Sequence, residues 1–197
     1  MANLLTALRL LLAVPAALAF AQPEFMTPLL LLTLVGVAIA TDFGDGIVAR
    51  RTDTASPRGQ LFDHATDFMF VTSGLTGAAI AGQVTLALPI VIVVAFSQYV
   101  LDSYFLHRKK RLHMSFLGRW NGMFYFVPLA LIAVSRLAVS GLDWAAGVAG
   151  IFSTLIELLS YLLVLSTVAS IVDRAIAPGV GAYRRAGTNR EGVGTHR

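Results

Sequence analysis

Four aspartates, Asp42, Asp45, Asp63 and Asp67, crowd into the stretch TDFGDGIVARRTDTASPRGQLFDHATD, from Thr41 to Asp67. On a helix, Asp42 and Asp45 are three residues apart and Asp63 and Asp67 four apart, so each pair shares a face. If the polar residues between Arg51 and Arg58 form a short turn, the two helices are antiparallel neighbours and both pairs lie at one depth. Four hard oxygen donors at that spacing suit two divalent cations, Mg²⁺ or Mn²⁺ by donor type. Gly46 lets a ligand approach the backbone closely. Arg50, one turn further on, is placed to fork onto a phosphate. Gly59 stands near the start of the second helix, where backbone N–H groups favour anions.

The elements that must position these residues are unusually apolar. The 197-residue chain is 56% hydrophobic and 13% charged, with a mean hydropathy of +0.74. A soluble domain carries roughly 25% charged residues, so the composition predicts an all-α integral membrane protein. Six apolar segments reach the ~20 residues that a span requires: 4–22, 27–50, 61–82, 86–106, 119–140 and 145–172. A carboxylate inside such a segment costs roughly 2.5–3.5 kcal/mol on insertion scales, so the aspartates need compensation. Without cysteine there is no disulfide, iron–sulfur cluster or thiolate metal site.

With six spans, the side that holds Arg50, Arg51 and Arg58 also holds the basic run from His107 to His113, Arg119, Arg174 and the tail arginines. Arg9 lies near the same face. Of fifteen Lys and Arg residues, Arg136 alone falls toward the opposite side. The positive-inside rule then places both termini and the aspartate pocket in the cytoplasm, with the chain multi-pass in the cell (inner) membrane. The net charge of +4 and pI near 9.9 thus reflect orientation and anionic head groups, not a nucleic-acid partner. Residues 4–21 could pass for a signal peptide ending at Ala19-Phe20-Ala21. Because Arg9 lies inside the apolar run and not ahead of it, the segment is expected to stay as a first helix. The division is therefore a membrane domain over 1–177 and a polar tail, 178–197, expected to be disordered.

Two rival readings of the aspartates come from other classes. Interfacial salt bridges to Arg50, Arg51 and Arg58 would explain one or two acids but not two helix-phased pairs. A transporter lined with aspartates needs polar residues through the membrane depth, yet here the acids cluster on one side and no repeat is visible. His64 lies about 100° off the helical face of either neighbour, which favours packing over ligation. Arg119, with Asn121 beside it, could hold the phosphate of an acceptor or anchor the helix by snorkelling beside Trp120. The run from His107 to Arg111 suits lipid head groups. Glu157 is expensive in the sixth segment and its partner is not named by the sequence; Asp102 is equally open.

The spacing Asp42-x2-Asp45-Gly46-x2-Ala49-Arg50-x8-Gly59-x3-Asp63-x3-Asp67 resembles, position for position, the signature of the CDP-alcohol phosphotransferase family. It fixes eight residues over 26 positions. The opening Asn3, Thr6 and Arg9 also resemble the start of many members. The resemblance implies attack of an alcohol on a CDP-linked donor, usually CDP-diacylglycerol, with release of CMP. It implies that Asp42, Asp45 and Asp63 ligate two metals and that Asp67 completes the site and acts as general base. Gly46, Ala49, Arg50 and Gly59 would hold the CDP moiety. A homodimer is a further implication. CDP-choline-type transfer to diacylglycerol is the mirror reaction on the same motif, a catalytically silent relative is a third possibility, and the motif does not name the acceptor.

Overall fold

The structure is a computed structural model that describes the backbone of residues 2–51, 57–101, 116–140 and 145–191. Side chains are described over 6–42, 62–101, 118, 120–140 and 147–176. Among the described residues there is no strand. The helices are α1 (Ala2–Ala21), α2 (Pro28–Arg51), α3 (Pro57–Ile80), α4 (Ala87–Leu101), α5 (Phe116–Phe124), α6 (Phe126–Ser140) and α7 (Ala145–Glu191), with a 3-10 turn at Pro23–Phe25. Trp120–Ser140 and Gly147–Ile176 are long and apolar enough to cross a membrane, and Thr6–Ala21, Pro28–Asp42 and Ala87–Leu101 are shorter apolar stretches.

The boundaries have local causes. Helix α3 ends in a Schellman-type cap: Gly82 adopts φ 70°, its N–H donates to Ala79 O at 3.0 Å, and Gln83 N–H donates to Ala78 O at 2.9 Å. A side chain at this φ would be strained. The segment 119–140, expected as one span, is long and apolar enough to cross as one, with a one-residue interruption at Tyr125 that separates α5 from α6. Pro128 supplies the reason, since it has no N–H to give the carbonyl of Phe124 and its ring crowds that turn. At the other end of the chain, α7 runs from Ala145 to Glu191.

Helix α1 packs most extensively on α3. Ala13, Ala16, Ala19 and Phe20 of α1 are buried, as are Phe70, Val71, Leu75 and Ala78 of α3. Small residues let the two backbones meet, which is how helices associate where lipid removes the hydrophobic drive. The closest approach is at Gly77, where an added Cβ would lie 2.2 Å from Ala17 O. Backbone cannot yield as a flexible side chain does, so Gly77→Ala is expected to push the helices apart and lower stability by about 1–3 kcal/mol. Gly36→Ala, facing open space with nothing within 4 Å, is the control and is expected to leave the unfolding temperature within a few degrees. A detergent-solubilised thermal melt compares the two.

Arg136, the one cation that the sequence reading sets apart from the others, ties α6 to the end of α1. Its guanidinium donates to Ala19 O at 2.5 Å, Phe20 O at 2.8 Å and Gln83 Oε1 at 3.0 Å. Those carbonyls belong to the last turn of α1, which has no intrahelical donors of its own. The charge therefore serves as a helix cap.

Candidate active site at the start of α3

Three of the described acids converge on one buried cation. Arg9 projects from α1 with its side chain 0% exposed; its NH1 lies 3.6 Å from Asp42 Oδ1 and 3.5 Å from Asp63 Oδ1, and donates to Asp67 Oδ1. Its NH2 donates to Thr41 Oγ1 at 3.5 Å, and that hydroxyl donates back into α2, to Val37 O at 2.8 Å. Arg9 faces Asp63 and Asp67 while Ala17 touches Gly77 further along, so α1 and α3 run parallel. Helix α2 brings Asp42 to the same point. Taking a guanidinium and carboxylates out of water is costly unless each is paired, and here the pairing is mutual.

Asp42, Asp63 and Asp67 therefore meet, as their helical phase predicts. Asp45, Gly46, Ala49 and Arg50 stand on α2 and Gly59 on α3, but their side-chain environments lie outside the described residues, as does the side chain of Arg119. Asp102 lies outside them altogether. The sequence reading missed Arg9 as a member of the site. The signal was present: a cation inside an apolar run requires a partner at its own depth.

His64 stands beside these acids. Asp63, His64 and Asp67 each offer one ligand atom, and these atoms lie within 4.8 Å of one another. Two ligands on one small divalent cation are about 3–4.2 Å apart at bond lengths near 2.1 Å, so the donor set fits a metal with small side-chain movements.

Asp42, His64 and Asp67 line a cavity of about 410 Å³. Its walls are aromatic, with Phe68 stacked on Phe96 at 4.0 Å between centroids and Tyr99 and Tyr125 beyond. Arg174 of α7 also lines it, with its guanidinium 5.2 Å from the centroid of the Tyr99 ring. Arg174 NH1 is buried without a hydrogen-bond partner. From sequence, Arg174 counted only as a cytoplasmic charge. Two polar ties fix this end of α7: Ser166 Oγ donates to Asn121 Oδ1 at 2.7 Å, and Tyr125 OH and Thr167 Oγ1 share a bond of 2.7 Å. Asn121 is thus engaged in packing α5 on α7. Glu157 lines a second cavity, about 490 Å³, beside Gln83, Thr85, Ser135, Ser153 and Tyr161.

A model of the CDP-alcohol phosphatidyltransferase family matches residues 1–165. No curated protein and no solved structure matches the chain.

Proposed function

Because the chain belongs to the CDP-alcohol phosphatidyltransferase family, membrane-bound transferases of substituted phosphate groups, we propose that it moves a phosphatidyl group from CDP-diacylglycerol to an alcohol and releases CMP. The observation that carries this reading is the meeting of Asp42, Asp63 and Asp67 around Arg9, with Asp42 and Asp67 also lining a cavity of about 410 Å³. Family members use divalent metals. Cations held by Asp42, Asp45, Asp63 and Asp67 would supply Lewis-acid stabilisation of the pyrophosphate and of the departing CMP. Gly46, Ala49, Arg50 and Gly59 hold the nucleotide. Asp67, which lines the cavity, takes the proton from the acceptor hydroxyl as oxygen attacks the phosphate nearer the lipid.

On the same reading the chain crosses the cell membrane six times as a homodimer, with its site and termini cytoplasmic; the loop charge asymmetry supports the orientation and family resemblance the dimer. Arg174, with a buried NH1 lacking a partner, favours an acceptor that carries its own anion, a phospho-alcohol such as glycerol 3-phosphate or inositol phosphate. Arg119 is the second candidate for that anion.

The test incubates purified protein with CDP-diacylglycerol, Mg²⁺ or Mn²⁺, and a panel of alcohols and phospho-alcohols, followed by lipid mass spectrometry. CMP release with a new phosphodiester identifies the acceptor. Transfer only with CDP-choline and diacylglycerol overturns the direction, and no CMP release from any donor overturns the enzyme reading. If Arg174 holds the acceptor anion, Arg174→Gln is expected to raise the acceptor KM tenfold or more, on the scale of one lost charge-assisted hydrogen bond of about 1.5–3 kcal/mol, with little change in kcat. An unchanged KM returns the role to Arg119.

A further inference from the structure

The proposed reaction draws its metal ligands from aspartates alone, but the structure brings a nitrogen donor to the same place. His64 offers a ring nitrogen within 4.8 Å of a carboxylate oxygen of Asp63 and of Asp67. It also lines the cavity shared with Asp42 and Asp67, so its ring belongs to the pocket. The side chain is half-buried. It thus lies neither in solvent, where a histidine makes no demand, nor in the apolar core, where packing alone would account for it.

We propose that His64 is a metal ligand of this site and biases it toward Mn²⁺ over Mg²⁺. The chemistry behind the bias is general. Mg²⁺ is a hard ion that keeps oxygen donors and water in a near-ideal octahedron, whereas an imidazole suits transition metals. Mn²⁺ accepts both carboxylate oxygen and imidazole nitrogen. A carboxylate set with one nitrogen therefore gives Mn²⁺ one good bond that Mg²⁺ uses poorly. The inference rests on the metal-dependent reading above and adds a residue to it.

Pulsed EPR of the full-length protein loaded with Mn²⁺ alone provides the test, with no substrate and no turnover. The wild type is expected to show nitrogen hyperfine modulation from a directly bound imidazole, changing in the known way when the protein is labelled with ¹⁵N-histidine. The chain has four histidines, so His64→Asn assigns the signal. In that variant the modulation is expected to vanish, and the Mn²⁺ dissociation constant to rise about tenfold or more while that of Mg²⁺ moves less. Bound Mn²⁺ without nitrogen modulation overturns the role of His64 and leaves the aspartate site standing. Failure of the wild type to bind Mn²⁺ at all overturns both.

Discussion

Asp67→Asn is expected to lose at least about a hundredfold in turnover while CDP-diacylglycerol binding changes much less. An alcohol is a weak nucleophile until its proton leaves, and a positioned base typically contributes about 10²–10⁴-fold. Asp67 lies one helical turn further along α3 than Asp63, toward the membrane interior on the proposed orientation. On the proposed function that depth would set it beside the lipid-linked phosphate and not beside the cytidine. It also lines the cavity assigned to the acceptor. Asparagine keeps the size and one oxygen but cannot take the proton. Asp42→Asn and Asp63→Asn, at proposed ligand positions, are expected to abolish turnover and also to weaken divalent-ion binding, because each removes a charged donor. Single-turnover rates and equilibrium binding of CDP-diacylglycerol separate the two patterns. A variant at Asp67 that loses donor binding as severely as Asp42→Asn would show Asp67 to be chiefly a ligand, and the base would then lie elsewhere.

The helical class and the positions of most helices were legible because runs of about 20 apolar residues have few other solutions. The break at Tyr125 was harder to read, since hydropathy is continuous through it and only the backbone consequence of Pro128 divides α5 from α6. The meeting of the aspartates was legible from spacing alone: Asp42, Asp63 and Asp67 reach one guanidinium, as their helical phase predicts. Arg9 itself was visible as an anomaly but not as a partner. Its role depends on α1 running parallel to α3 at close range, which is set by Ala17 against Gly77, a contact between residues 60 apart in the chain. Arg174 was hidden for a related reason. A basic residue near a membrane boundary reads as an orientation signal, and only the fold turns it toward Tyr99 and the cavity.

Removing the charge at Arg9 is expected to be the most destabilising single change in the described part of the site. Arg9→Gln leaves Asp42, Asp63 and Asp67 facing one another without their buried counter-cation. Breaking a buried ion pair by removing one partner costs about 3–5 kcal/mol. The acids are 37%, 28% and 19% exposed at the side chain, so water takes up part of the burden. The loss is then expected below that range, at about 2–3 kcal/mol, measured in EDTA. The same electrostatics sets how the variant responds to metal. A divalent cation placed among these carboxylates restores the missing charge, so Mn²⁺ or Mg²⁺ is expected to raise the unfolding temperature of Arg9→Gln more than that of the wild type. Arg9→Lys, which keeps the charge but not the planar fork that reaches several oxygens at once, is expected to fall between them in EDTA. Thermal melts of the three proteins, with EDTA and with saturating Mn²⁺, decide the matter. Equal metal-induced gains in wild type and Arg9→Gln would mean that guanidinium and metal do not share the same carboxylates. The close grouping of Arg9 with Asp42, Asp63 and Asp67 would then serve to lock α1 onto α2 and α3, with no bearing on the ion the aspartates hold.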